Sequence, residues 1–217
     1  MTDVHPPPQQ GDRLPIGGTA IQARLAEAAI ELFYARGAMA TTVREITAAC
    51  GLTPGALYNH FTSKDHLLFV LVRDIHLQVN EQLAEVGAAA GPEPARQLEA
   101  MTRFLISHTA GYKKRSRVAN REFTVLTGTP RDEVRLLRRR LRDQFTAALQ
   151  AGAQQGVFDL VGGEDVASAT LAATTITSLC VHISEWTLEN YPLGMADLQD
   201  RFARMVLRIA GTAPARS

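Results

Sequence analysis

Apolar residues recur at spacings of three and four along most of the chain, which is the pattern of amphipathic helices. In residues 19–36 this stripe consists of Ile21, Leu25, Ala28, Ala29, Leu32 and Phe33. The same spacing predicts helices over residues 65–86, 95–111, 116–127, 131–155, 164–190 and 195–210, with breaks at 87–94, 128–130, 156, 162–163 and 192–194. Strand-like alternation is not convincing anywhere, so the chain is predicted to be all-α.

Two shorter helices are predicted between residues 42 and 64. Thr42 and Glu45 have the spacing of a capping box, and Gly51 suits the left-handed turn that ends a helix. Thr53 is then a natural N-cap, and Pro54 suits the first helical position. Two short helices joined by a tight turn form a helix-turn-helix unit, whose second helix enters the major groove of DNA.

The second short helix has one apolar face and one exposed face. Leu57 and Phe61 are four residues apart and therefore lie on the same side. The residues on the other side are small or can form hydrogen bonds, which suits a helix that enters a groove. They are Gly55, Ala56, Tyr58 and Asn59.

These segments together resemble the TetR family of bacterial transcriptional regulators over residues 19–72. The resemblance is carried by residues 28–33 with Gly37, by residues 41–46, by residues 55–61 and by Ser63, Lys64 and Asp65. Pro54 and Asn59 depart from the commonest residues of the family, which bears on the operator that is read.

The resemblance implies a set of DNA-binding residues. They are Thr41, Thr42, Arg44, Thr53, Gly55, Ala56, Tyr58, Asn59, His60 and Lys64. Arg44 is expected to reach a guanine or a phosphate, and Asn59 an adenine. Tyr58 and Lys64 are expected to point outward toward phosphates. The alternative interpretation is that these are ordinary cap and surface residues.

The resemblance also implies the domain organisation. A three-helix DNA-binding domain at residues 19–64 is followed by a helical effector-binding and dimerisation domain at residues 65–217. Residues 1–18 are rich in Pro, Gly and Gln and are expected to form a disordered arm. The expected partners are a second copy of the chain, which would pack through residues 164–190 and 195–210, and palindromic double-stranded DNA. The alternative is that these last helices complete a monomeric core.

A mostly apolar effector pocket is expected in the larger domain. The candidate ligand-binding residues are Phe104, His108, Tyr112, Arg121, Phe123, Thr174, Thr177, Ser178 and Trp186. The effector is expected to be small and hydrophobic, and an acyl-CoA is one form that it could take. A basic cluster at residues 113–117 is placed in a loop, either as a solvated segment or as a pocket mouth that clasps an anionic group.

The charge is small for a DNA-binding protein. The net charge is +1, and residues 19–70 hold Arg24, Arg36, Arg44 and Lys64 against Glu27, Glu31, Glu45 and Asp65. A shallow salt dependence of DNA binding follows. Residues 131–155 contain five arginines between positions 135 and 142, and most are expected on a solvated face because Val134, Leu137, Leu141, Phe145 and Leu149 form the apolar stripe.

Other classes of function receive little support. No catalytic constellation, metal-ligand spacing or cofactor motif appears, so the chain is not predicted to be an enzyme or to hold a metal or a cofactor. Cys50 and Cys180 are expected to be buried free thiols. No apolar run appears long enough for a membrane and no signal peptide is apparent, which predicts a cytoplasmic protein. The predicted function is a ligand-responsive repressor. An activator of the same fold, or a helical ligand-binding protein or enzyme without a DNA function, are the alternatives.

Overall fold

The structure is a computed structural model that describes residues 19–185 and 193–212. These residues are mainly helical and contain no strand, which confirms the all-α prediction. The α-helices are α1 (Ala20–Arg36), α2 (Val43–Ala49), α3 (Pro54–Tyr58), α4 (Lys64–Ala89), α5 (Pro94–Gly111), α6 (Lys113–Glu122), α7 (Gly128–Gln154), α8 (Val166–Val181) and α9 (Met195–Ile209). Two 3₁₀ helices, Phe123–Val125 and His182–Glu185, follow α6 and α8. The predicted N-terminal arm, residues 1–18, lies outside the described residues.

The helix-turn-helix unit forms as its caps and turn predict. The Thr42 hydroxyl accepts from the Glu45 N–H, and the Glu45 carboxylate accepts from the Thr42 N–H at 2.8 Å. Gly51 has a φ of 65°, in the left-handed region that favours glycine. The Leu52 N–H donates to the Thr47 carbonyl at 2.8 Å, which ties the turn to the end of α2.

Of the predicted breaks, 87–94 is partly helical and 128–130 is entirely helical. The break predicted at 87–94 begins too early, because α4 continues through Gly87 to Ala89. A Cβ on Gly87 would lie 3.4 Å from the Met101 sulfur, which is an ordinary van der Waals contact, so the packing of α4 against α5 does not require a glycine there. The break predicted at 128–130 is the first turn of α7, where Pro130 needs no intrahelical hydrogen-bond partner for its nitrogen.

The basic cluster at residues 113–117 was predicted in a loop, and this was wrong. These residues form the first half of α6. Their side chains contact acidic and aromatic partners on α1, which is remote in sequence, so local composition does not reveal that the helix predicted from residue 116 begins at Lys113.

Two hydrophobic clusters form the core. The first joins α1, α2, α3 and the first half of α4 through Phe33, Ile46, Leu57 and Leu68, and it extends to α6 and the start of α7. The second joins the rest of α4 with α5, α7, α8 and α9, and its members include Leu83, Leu105, Phe145, Ile176 and Phe202. Because α4 contributes to both clusters, it connects the helix-turn-helix unit to the larger helical body.

A buried polar contact fixes α4 against α7. Asn80 is fully buried, and its Nδ2 donates to the carbonyls of His76 at 2.7 Å and Leu137 at 3.1 Å. The Gln144 Nε2 donates to the Asn80 Oδ1 at 3.1 Å. This contact was not predicted from the sequence, although a lone amide within the apolar pattern of α4 is a signal for it.

Helix α8 corrects the expectation about membrane-length segments. Residues Val166–Glu185 are long and apolar enough to cross a membrane by length and composition, so the expectation that no such run exists was wrong. One face of α8 packs in the second core through Ala169, Ala173, Ile176 and Cys180. Cys50 and Cys180 are both buried free thiols, as predicted, and burial raises the pKa of Cys180 to about 12.

Candidate functional site

Helix α3 presents its polar side to solvent. Leu57 is fully buried and anchors the helix, whereas Tyr58 is 57% exposed and Gly55 and Asn59 are exposed. The sequence-based division into two faces is therefore confirmed. Thr53 precedes the helix in an extended conformation, but its side chain makes no capping hydrogen bond.

The exposed residues of α3 are not explained by the packing of the described chain. A Cβ on Gly55 would meet no atom within 4 Å, so folding does not require a glycine there. Ala56 and His60 are half-buried beside it. A small residue next to an exposed phenol and an exposed amide leaves room for a closely approaching partner.

The start of α2 offers fewer free donors than expected. Thr42 is exposed, but its hydroxyl donates to the Glu45 carboxylate at 2.7 Å. Thr41 is 1% exposed, and its hydroxyl donates to the Gly37 carbonyl at 2.9 Å. The Thr41 hydroxyl therefore belongs to the turn between α1 and α2 and is not presented on the surface.

Lys64 does not point outward, and that prediction was wrong. Its Nζ donates to the carbonyls of Ala38 at 2.6 Å and Thr41 at 2.8 Å. Both carbonyls lie in the turn between α1 and α2, and an ammonium group satisfies carbonyls that have no helical partner. The Lys64 side chain thus holds the turn against the start of α4.

Arg44 is the available cation of the helix-turn-helix region. Within residues 19–70, all of which the structure describes, it is the one Lys or Arg side chain without a hydrogen bond or ion pair. Arg24 donates to the Cys50 carbonyl, Arg36 pairs with Glu45 at 2.8 Å, and Lys64 donates to the Ala38 carbonyl. Arg44 is exposed in the first turn of α2, where it can reach DNA.

Three candidate ligand-binding residues at the end of α5, here called the α5 ring stack, have neighbouring rings that are tilted to one another by 42° and 56°. The His108 ring lies 5.6 Å from that of Phe104 and 5.0 Å from that of Tyr112, measured between centroids. Burial, together with the positive charge of Arg115, lowers the pKa of His108 to about 4. The stack is therefore a neutral, largely apolar surface at physiological pH.

The candidates on α8 are divided between two faces. Thr177 is buried, and its hydroxyl donates to the Ala173 carbonyl at 2.7 Å. Thr174 and Ser178 are exposed, so the structure does not bring them together with the α5 ring stack. Trp186 lies outside the described residues.

The candidates near α6 already have protein partners. Arg121 donates to Glu185, and Arg117 donates to the same carboxylate at 2.9 Å. Arg138 and Arg131 lie over the Phe123 ring, at 4.9 Å and 5.9 Å from its centroid. These contacts compete with the expected role of the α6 cations in holding an anionic effector group.

Two depressions are present on the described surface. One of about 260 Å³ lies between α1 and α6 and is lined by Tyr34, Arg36, Arg121 and Glu122 among others. An open groove of about 510 Å³ runs along α7 past Leu136 and Gln144. Of the predicted ligand-binding residues, Arg121 lines the depression between α1 and α6.

A buried carboxylate at the end of α6 was also not predicted from the sequence. Glu122 is 9% exposed, and its Oε2 accepts from the Ala38 N–H at 3.1 Å. The single available signal was an acidic residue at the end of a strongly basic segment. No group of three or more His, Cys, Asp or Glu side chains that could hold a metal occurs in the described ranges.

Comparison with known proteins covers both parts of the chain. A family model described as bacterial regulatory proteins, tetR family, matches residues 25–71, and one described as tetracyclin repressor-like, C-terminal domain, matches residues 91–210. The HTH-type transcriptional repressor KstR2 of Rhodococcus jostii (strain RHA1) is 30% identical over 151 residues, which are 65% of this chain and 70% of that protein.

Solved structures agree with these matches. A tetR-family regulatory protein from Rhodococcus RHA1 has a TM-score of 0.79 at 28% identity, and the match covers 91% of this chain and all of that one. AibR, solved with isovaleryl coenzyme A and operator DNA, has a TM-score of 0.76 at 25% identity, over 85% of this chain and 96% of that one. The helix-turn-helix unit, the helical body behind it and these matches agree, and the chain belongs to the TetR family of DNA-binding transcriptional regulators.

Proposed function

We propose that the chain is a homodimeric cytoplasmic repressor, without enzymatic activity, that leaves a palindromic operator when a small effector binds. The observation that carries the proposal is the exposed face of α3. Gly55, Tyr58 and Asn59 are exposed on α3, and Arg44 is exposed on the neighbouring helix α2. A helix of this kind contacts base edges in the major groove, while the surrounding polar groups position the protein on the phosphates.

A second copy is proposed to cover the outer face of α8. Leu171 is 62% exposed and Leu179 is 40% exposed on this face, and the domain of residues 65–217 is proposed to supply the rest of the interface. Exposed apolar helix faces of this kind mark interaction sites. A dimer would present two α3 helices to successive turns of the DNA, which explains the expectation of a palindrome.

The effector is proposed to be mainly apolar. The α5 ring stack of Phe104, His108 and Tyr112 offers an apolar surface, and the regulator AibR was solved with isovaleryl coenzyme A. For an anionic group, Arg138 is a better candidate than Arg121, because its partners are neutral: it donates to the Asn120 Oδ1 at 3.2 Å and lies over the Phe123 ring. Arg138 is half-buried, makes no ion pair within the described residues, and burial lowers its pKa. Binding a negative charge there would offset the cost of that burial.

The first experiment tests DNA recognition. The purified chain is used to select operator sequences from genomic DNA, and gel-shift affinity is then measured for Tyr58→Ala and for Val161→Ala, which truncates an exposed residue between α7 and α8. We expect Tyr58→Ala to weaken operator binding by about tenfold, from the loss of a phosphate contact, and Val161→Ala to have no effect. Equal affinity of the two variants would contradict the assignment of α3.

The second experiment tests the effector class. Isovaleryl coenzyme A and longer acyl-CoA thioesters are titrated by calorimetry into the free chain and into its operator complex. An inducer must bind the free chain more tightly by the same factor by which it weakens operator binding. Equal affinity for both states would exclude these thioesters as inducers, even if they bind tightly.

A further inference from the structure

We propose that Glu122 is a positioning residue for DNA recognition: its carboxylate holds the turn between α1 and α2, and α6 thereby connects the effector-binding body to the helix-turn-helix unit. The inference rests on the proposed function, because it concerns how operator binding is controlled. It adds a contact through space to the covalent connection that α4 makes.

The contact itself is buried. The Glu122 Oε2 accepts from the Ala38 N–H at 3.1 Å, across 84 residues of sequence. Ala38 follows Gly37, whose φ of 85° starts the turn, and a Cβ on Gly37 would lie 3.5 Å from the Glu122 Oε1. A carboxylate that is 9% exposed requires hydrogen-bond donors, so losing this N–H is costly.

Ala38 connects the Glu122 hydrogen bond to the DNA-binding helices. Its carbonyl accepts from the Lys64 Nζ at 2.6 Å, and the same ammonium donates to the Thr41 carbonyl at 2.8 Å. Thr41 directly precedes Thr42, the N-cap of α2. Hydrogen bonds through Ala38 and Lys64 therefore connect Glu122 to the start of α2 and to the start of α4.

The rest of α6 is bonded on both sides. Toward α1, Lys114 pairs with Glu31 at 2.6 Å and Arg115 pairs with Glu27. Toward the end of α8, Glu185 accepts from both Arg117 and Arg121. Ion pairs at the surface contribute little individually, so the buried Glu122 contact provides the specific part of this connection.

A change at α6 would therefore act in discrete steps. If an effector displaced α6 so that Glu122 lost the Ala38 N–H, the buried carboxylate would need a new partner or exposure to water. Intermediate positions satisfy neither arrangement, which favours two states over a gradual shift. Operator affinity would then follow the fraction of molecules that keep the Glu122 contact.

The first test compares three substitutions in the full-length chain. Glu122→Ala removes the acceptor, and we expect operator affinity to fall by about tenfold or more, the usual effect of losing a hydrogen bond to a charged group. Glu122→Gln keeps an acceptor oxygen and should restore affinity to within about twofold of the wild type. Glu99→Ala is the matched control, because Glu99 is bound to Arg103 on α5 and does not contact the turn.

The second test asks whether Glu122 acts through the turn. Operator affinities are measured for Glu122→Ala, Lys64→Met and the double variant, with thermal unfolding and dimer mass recorded for each. We expect the double variant to lose much less affinity than the product of the two single losses, because one hydrogen-bond chain is broken in both. Losses that multiply would refute the chain from Glu122 to Lys64.

A measurement on the wild type remains informative if a variant fails to fold. Operator binding should slow hydrogen exchange of the Ala38 amide by about threefold or more, relative to the core amide of Leu98, since the contact is held in the DNA-bound state. An unchanged Ala38 rate would overturn the proposal.

The failure of this proposal can be distinguished from the failure of the proposed function. If the wild type selected no operator, the proposed function would be refuted. If the wild type and Glu122→Ala bound the operator equally tightly, the positioning role alone would be refuted.

Discussion

At the scale of single residues, two histidines are kept neutral inside the larger helical body. Burial lowers the pKa of His76 to about 4, opposed by its hydrogen bond with the Val72 carbonyl and assisted by the charge of Arg138. His108 has a similar pKa for the same main reason. Folding therefore disfavours protonation of both rings, which links stability to pH.

His108→Gln should flatten that pH dependence. Below pH 6.5 the unfolded chain protonates His108, whereas the folded chain does so only near pH 4. The contribution of neutral His108 to the free energy of unfolding is therefore complete above about pH 7 and is lost as the pH falls from about 6.5 to about 4. From pH 6.5 to 5 the wild type should lose about 2 kcal/mol more than the variant, from about 1.4 kcal/mol per pH unit. Urea unfolding at fixed protein concentration measures this difference, and parallel pH profiles would contradict it.

The sequence predicted residue orientation well where the determinants are local. Leu57 and Phe61 are buried and Tyr58 is exposed, because a helical period fixes which side chains share a face. Lys64 was misjudged for the opposite reason. The carbonyls that hold Lys64 are 26 and 23 residues away, and no local pattern indicates that they lie beside it.

At the scale of elements, α7 depends on a close approach at Gly152. A Cβ built on this residue would lie 2.1 Å from the Phe158 ring, and the Gly152 carbonyl also accepts from the N–H groups of Val157 and Phe158. The chain after α7 thus folds back onto the helix because no side chain stands there. This close approach seats Phe158 in the second core.

Gly152→Ala should destabilise the protein even though alanine favours helices. The added methyl collides with Phe158, and overpacking of a core costs about 1–3 kcal/mol. Gly87→Ala is the matched control in α4, where the flexible end of Met101 is the nearest group, and it should stabilise the chain by about 0.5–1 kcal/mol. Thermal unfolding of both variants provides the comparison, and a stabilised Gly152→Ala protein would contradict the packing described.

Helix α6 marks the limit of sequence analysis at this scale. The long helices were found because their apolar stripes repeat over many turns, as in α4 and α7. The helix predicted over residues 116–127 overlaps α6, but its basic first turn was missed, because the charges that stabilise it, Glu27 and Glu31, belong to α1. The predicted domain boundary at residue 64 likewise depends on contacts between remote segments, since the first half of α4 packs in the same hydrophobic cluster as α1.

At the scale of the whole molecule, the outer face of α8 is proposed to decide the oligomeric state. The chain offers two leucines of nearly equal exposure on different helices, Leu171 on α8 at 62% and Leu136 on α7 at 65%. They allow a charged substitution to be compared at the proposed interface and away from it.

Leu171→Glu should shift the dimer toward monomer, because two carboxylates would be brought into an apolar interface. We expect the dimer to weaken by about tenfold or more, as for a central interface residue, with a parallel loss of operator affinity. Leu136→Glu should leave the mass unchanged. Sedimentation equilibrium measures both, and a dimeric Leu171→Glu protein would place the interface elsewhere.

The near neutrality of the helix-turn-helix region has a consequence for how such a regulator would be distributed in a cell. Release of counterions by basic residues supplies most of the attraction to arbitrary DNA. With Arg44 as the uncommitted cation in residues 19–70, we expect the rest of the chromosome to compete weakly for the protein. A large fraction of the copies would then be free in solution, so a modest number per cell would suffice to keep an operator occupied.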